Sequence, residues 1–175
     1  VFSGKEIYHP LIKPDKVVSN SITLDSKSAL ITGSNMSGKT TLIRTIGVLS
    51  LLSYAGANVP ASSLKLGRMR IMSSMRIVDS MKEEMSTFKA ELVRISGIVK
   101  ASKEDKPLLY LIDEIFRGTN SADRTDGART VLNILNKPEI IGLMTTHDYA
   151  LCDEAQKMNN MVFYYFSEEY TEDSI

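Results

Sequence analysis

At 175 residues the chain is long enough to bury a sizeable core and of a length usual for one domain. Its 43% hydrophobic content is that of a globular protein, and no run approaches the roughly 18 apolar residues of a membrane span. Lysine plus arginine total 21, as do aspartate plus glutamate, so the formal net charge is zero and the basic surplus of a duplex-binding module is missing. Contact with nucleic acid is therefore expected on another part of the protein or on a local patch. The one cysteine, Cys152, excludes an internal disulfide, suits a reducing, cytoplasmic compartment, and reads as a small buried apolar residue. No signal peptide opens the chain; the start at Val1 and the charged end from Glu168 to Ile175 suggest one domain, 1–175, cut from a longer protein.

Val1 to Ser26 reads as an irregular, strand-rich lead-in with a turn at Lys13-Pro14-Asp15-Lys16. Ala29 to Thr32 is a short buried strand. Behind it Leu42, Ile46, Leu49 and Leu52 repeat at spacings of four and three, one face of a helix that ends near Gly56. Arg70 to Asp79 is another strand region. A helix starting near Ser86 places Phe88, Leu92, Ile95 and Val99 on its buried face. The polar stretch Ser102 to Lys106, closed by Pro107, is a loop, and Leu108 to Ile112 is a fully buried strand. Ile115 to Gly127 reads as a long polar loop carrying Arg117 and Arg124. Asp126 to Asn136 is helical with Val131, Leu132 and Leu135 inward; Ile140 to Met144 and Met161 to Phe166 are strands. The alternation predicts an α/β fold, a mostly parallel sheet flanked by helices. The nine methionines are scattered and read as core filler.

Gly33-Ser34-Asn35-Met36-Ser37-Gly38-Lys39-Thr40 fits G-x-x-x-x-G-K-[ST], the loop that cradles nucleotide phosphates, and it sits between a strand and a helix as that chemistry requires. Backbone N–H groups of the loop and of the first helical turn, including Thr41, converge on phosphate, and the helix N-terminus adds positive potential. Lys39 is predicted to reach the β- and γ-phosphates of ATP, and Thr40 to ligate Mg²⁺. The strand Leu108 to Ile112 ends in Asp113-Glu114, a Walker B pattern. Asp113 is assigned to Mg²⁺ and Glu114 to the attacking water. The strand Ile140 to Met144 runs into Thr145-Thr146-His147, where the histidine can donate to a γ-phosphate. His9, beside Pro10, has no such company and reads as structural.

The chain resembles the C-terminal ATPase domain of the MutS family of DNA mismatch repair proteins. Thr32 to Thr40 is similar to that family's T-G-P-N-M-G-G-K-S, and Ser53 to Ala61 to its stretch after the phosphate-loop helix. Ser86-Thr87-Phe88-Lys89-Ala90-Glu91-Leu92 matches S-T-F-x-x-E-[ML], Asp113 to Thr119 looks like D-E-[IL]-G-R-G-T, and Thr146-His147 matches the terminal T-H. The resemblance implies a P-loop NTPase of ABC-ATPase type, acting as a dimer with two ATP sandwiched between subunits and driving a DNA-engaging clamp. It also implies that Ser86 completes the partner's site and that Asn20 contacts the nucleotide; taken alone, Ser86 reads as a helix N-cap.

The departures are specific. Val17 stands where the family has an aromatic residue against adenine, so base selectivity is open. Phe116 replaces the glycine after Asp-Glu-Ile, and the loop from Gly118 to Gly127 is about three residues longer than the family form. The family's dimer-tightening helix-turn-helix would lie beyond Ile175, so the isolated piece is expected to be weakly active. Relatives that act in recombination or on stalled ribosomes offer an alternative biology. An ABC transporter subunit is disfavoured, because the chain has no L-S-G-G-Q and its single glutamine, Gln156, follows the histidine.

Overall fold

The computed structural model describes residues 1–34, 36–75, 84–116 and 121–167, with the backbone alone for 84–87 and 121. Strands β3 (Ser28–Gly33), β5 (Arg70–Ser74), β6 (Leu108–Ile112), β7 (Ile140–Thr145) and β8 (Met161–Phe166) form one sheet in the order β5-β6-β7-β3-β8. Every pairing in it is parallel. Helices α1 (Lys39–Tyr54), α2 (Glu84–Ala101), α3 (Ser121–Leu135) and α4 (Tyr149–Ala155) connect or flank these strands. The lead-in supplies β1 (Phe2–Ile7) and β2 (Asn20–Leu24), with a 3₁₀ turn at Pro14–Lys16 between them. Together with β4 (Ser63–Leu66) they make a separate antiparallel sheet in the order β2-β1-β4.

Strand periodicity of two divides the apolar residues between two cores. On one face Ala29, Ile31, Leu109, Leu111, Ile141 and Leu143 meet α1 and the small sheet; on the other Leu30, Leu108, Tyr110, Ile112, Ile140 and Met144 meet α2, α3 and α4. Burial on both sides explains why β6 and β7 read as unbroken apolar runs rather than as alternation. Helix α1 buries Leu42, Ile43, Ile46 and Leu49, each contributing roughly 1.5–3 kcal/mol. Its Thr45 and Ser50 also lie on the buried side and donate to the carbonyls of Thr41 and Ile46 at 2.8 and 2.7 Å, so two hydroxyls enter the core already paired.

Several sequence expectations change. Helix α3 begins at Ser121, not Asp126, so Arg124 lies in its first turns and the expected loop ends before Ser121. Helix α2 is described from Glu84, so the Ser86 backbone falls within the helix rather than at the expected N-cap position. Among the described side chains of α2 the buried positions are Ile95, Ile98 and Ala101, with Phe88 and Val99 partly buried; Leu92 is 43% exposed, because the core lies one turn further along the helix. Of the strand expected from Arg70 to Asp79, Arg70 to Ser74 is observed and 76–79 lie outside the described residues. Strand β4 and helix α4 had no periodic signal: each is short, and β4 is only half buried.

Tyr110 is fully buried, and among the described residues neither its hydroxyl nor the buried hydroxyl of Ser28 finds a partner at good hydrogen-bond geometry. Burial pushes the phenol up to about 12, the Ser28 hydroxyl pulling slightly the other way. The neutral form is favoured in the folded state, so between pH 10 and 12 the unfolded chain releases this proton first and stability falls by roughly 2–3 kcal/mol. Tyr110→Phe is expected to remove that part of the alkaline loss while changing stability at pH 8 by about 1 kcal/mol or less. Chemical denaturation of both proteins at pH 8 and pH 11 checks it; equal alkaline losses would refute the assignment.

Candidate functional site: the carboxyl ends of β3, β6 and β7

Three strand ends build the site. β7 lies between β3 and β6, so the Thr145 to His147 segment stands between the glycine loop after β3 and the acids after β6. Backbone bonds tie the ends together: Thr146 N–H donates to the Ile31 carbonyl and Asp113 N–H to the Ser74 carbonyl, each at 3.0 Å. In open α/β sheets ligands bind outside the carboxyl ends of the strands.

The loop's glycines have distinct physical reasons. Gly38 precedes α1 with φ 95°, a left-handed conformation that costs glycine little. At Gly33 a Cβ would lie 2.2 Å from the Phe166 carbonyl oxygen, so this position is fixed by close approach to β8. The N-cap residue Gly38 has no side chain with which to cap α1, and the N–H groups of the first turn point out of the helix end. Met36, 98% exposed with φ 72°, forms the tip. Ser37 donates from its hydroxyl to the Ser34 carbonyl at 2.9 Å. Asn35 lies outside the described residues.

Lys39 is only 5% exposed. Its ammonium donates to the carbonyls of Gly33 (2.9 Å) and Ser34 and contacts the Ser37 hydroxyl at 3.4 Å. The loop therefore folds around the lysine charge through its own carbonyl dipoles. Next to it the Thr40 hydroxyl donates to Asp113, at 2.9 Å from Oδ2 and 3.1 Å from Oδ1. These two hard oxygen donors are the pair assigned to a divalent cation, and the structure places them in direct contact.

Thr145, fully buried at the end of β7, donates to Asp113 Oδ1 and accepts from Glu114 N–H, both at 2.8 Å. Sequence reading assigned it no role; a buried hydroxyl ending an apolar strand was the available signal. Glu114 has φ 51°, uncommon for a non-glycine residue, and such strain collects at functional sites. Its Oε1 lies 2.9 Å from His147 Nε2, joining the two residues assigned to catalysis. His147 is followed by Asp148, which caps α4 by accepting from Ala150 N–H at 3.0 Å and also accepts from the Thr125 hydroxyl of α3. The segment carrying His147 is thus anchored on both flanking helices.

Met36, Gly38, Lys39, Thr40, Thr41 and Glu114 line a cleft of about 150 Å³. That is room for phosphate groups. Asn20, the first residue of β2, is not among those lining residues; its amide donates to the Val18 carbonyl at 3.4 Å. Val17 lines a second, wider cleft with Tyr8 and Pro60, so an aromatic side chain does stand near it. The Ser86 side chain and Arg117 to Asn120 lie outside the described residues. Cys152 is buried, and burial pushes its thiol up, away from reactivity.

Residues 29–175 match MutS domain V. The chain belongs to the MutS family. It is similar to an Endonuclease MutS2 of Lactobacillus helveticus, 37% identical over 143 residues, covering 79% of this chain and 18% of that protein. Against a Putative endonuclease MutS2 of Bacillus subtilis the identity is 32% over 147 residues, 82% of this chain and 18% of that protein. A Probable DNA mismatch repair protein Msh6 of Drosophila melanogaster is 35% identical over 154 residues, 85% of this chain and 13% of that protein. The chain spans less than a fifth of these MutS relatives. None of its described helices is long and apolar enough to cross a membrane.

Proposed function

We propose that this MutS domain binds ATP with Mg²⁺ and hydrolyses it at a composite dimer site of ABC-ATPase type, driving a DNA-engaging clamp. The observation that carries the reading is the contact of Thr40 and Asp113 beside Lys39, with Glu114 on the rim of the same cleft. Lys39 and the first-turn N–H groups of α1 hold the β- and γ-phosphates. Thr40 and Asp113 fit Mg²⁺, which prefers a few protein oxygens and keeps waters and phosphate oxygens for the rest; when bound it neutralises phosphate charge. Glu114 orients a water for in-line attack and takes its proton, as the water oxygen bonds to the γ-phosphorus and the bond to the β–γ bridging oxygen breaks. His147 holds Glu114 in place and is within reach to donate to the γ-phosphate.

Dimerisation, with Ser86 reaching the partner's γ-phosphate, rests on the family resemblance. So does DNA engagement, supported by relatives whose names include a mismatch repair protein. The matches to proteins named Endonuclease MutS2 favour a second reading, in which the biological target is not a mismatch. Steady-state ATP turnover by the protein carrying this domain distinguishes them, measured without DNA, with matched duplex and with mismatched duplex. DNA-dependent turnover is expected. A mismatch-specific response supports repair, and turnover indifferent to every DNA overturns the clamp reading while leaving the ATPase intact.

A further inference from the structure

Phe116 occupies a conformation that its side chain does not favour. It has φ 56°, two residues after Glu114 at φ 51°, so the turn leaving β6 holds two left-handed non-glycine residues. A glycine, as in the related pattern D-E-[IL]-G, would adopt that backbone freely. Something must therefore hold the phenylalanine in place, and its surroundings supply it.

Its side chain is 7% exposed and lies between two helices. On one side the ring meets Phe88 of α2 edge to face, with centroids 6.5 Å apart and planes at 68°. On the other it covers Gly127 of α3, where a Cβ would lie 2.8 Å from the ring's Cε2. Gly127 sits inside a helix, where glycine is unfavourable, and its missing side chain makes room for this ring. The Phe116 N–H donates to Oε1 of Glu91, a third contact and a second one to α2, at 2.6 Å. The Glu114 N–H is held by Thr145 at 2.8 Å, so both ends of the turn are fixed by side chains from other elements.

We propose that Phe116 is a positioning residue: wedged between Phe88 and Gly127 and tied to Glu91, it clamps the turn that aims the Glu114 carboxylate. Glu114 sits between the Asp113–Thr145 bond and this wedge, so loosening the wedge frees its backbone without touching the phosphate loop. The inference rests on the ATPase reading for its catalytic consequence, and on the packing alone for its structural one.

The test uses the whole protein that carries this domain, with Phe116→Gly, Phe116→Leu, Gly127→Ala, or Phe116→Gly with Gly127→Ala. Phe116→Gly is expected to lower kcat by about tenfold to a hundredfold while Kd for Mg-ATP stays within about twofold, since a misplaced catalytic group costs turnover more than binding. Phe116→Leu, which refills much of the wedge, should recover most of the rate. Gly127→Ala should lower kcat in the parent yet add nothing to Phe116→Gly, because residues in contact are not additive. Amide hydrogen exchange at Glu114, read without nucleotide, should quicken in Phe116→Gly. Unchanged kcat, losses that multiply in the double variant, or unchanged exchange at Glu114 would each overturn the proposal. A parent that exchanges as expected but never binds or hydrolyses ATP overturns the ATPase reading and with it the catalytic role, leaving a structural clamp.

Discussion

Replacing Lys39 by alanine is expected to weaken ATP binding at least about a hundredfold, because charge-assisted bonds to phosphate are worth roughly 1.5–3 kcal/mol each. The side chain is almost fully enclosed by the loop it serves, at 5% exposure. Its ammonium bonds to the Gly33 and Ser34 carbonyls, so alanine removes the loop's central donor as well as the phosphate contact. Part of the loss will therefore come from a loop that no longer holds its shape. Core residues around α1 are untouched, and the thermal midpoint should fall by only a few degrees. Equilibrium titration with a fluorescent ATP analogue, alongside a melting curve, measures both effects. Parent-like affinity in a well-folded variant would remove Lys39 from the phosphate site.

Glu114→Gln is expected to separate binding from turnover. Affinity for Mg-ATP should stay close to the parent's, while kcat falls by about two to four orders of magnitude, the usual contribution of a general base. The geometry makes this a clean substitution. Glu114 is joined to His147 Nε2 at 2.9 Å and its N–H to Thr145, and a glutamine can keep both bonds. Basicity and charge are lost. In the longer protein the variant should accumulate as an ATP-bound, closed dimer, seen as a shift in size-exclusion elution with ATP. Single-turnover hydrolysis measured beside it fixes the step affected. If Glu114→Gln hydrolyses ATP like the parent, the catalytic assignment fails.

The sequence alone determined much of this site, because its chemistry is written locally. Glycine spacing, the lysine and threonine that follow, and an apolar strand ending in two acids each depend on neighbours in the chain. The strands Leu108 to Ile112 and Met161 to Phe166 were legible to the residue, since burial on both faces or clear flanking turns leave one interpretation. The start of α3 was not. Ser121 to Thr125 is polar and carries no apolar period, and what holds it helical includes the Thr125 bond to Asp148 across to α4, a contact between distant segments.

Only the tertiary structure decided how the pieces meet. Strand order inserts β7 between the phosphate-loop strand and the acid-bearing strand, which brings Thr145 onto Asp113 and His147 onto Glu114. Sequence spacing cannot give this, because strand order is set by which crossovers bury both faces of the sheet. The same holds for Phe116. In the sequence it is a substitution at an expected glycine; in the fold its strained backbone is matched by Gly127, eleven positions later on α3, and by Phe88 on α2. Local chemistry is fixed by short-range covalent order, whereas the packing around the turn that carries Glu114 is fixed between elements far apart in the chain.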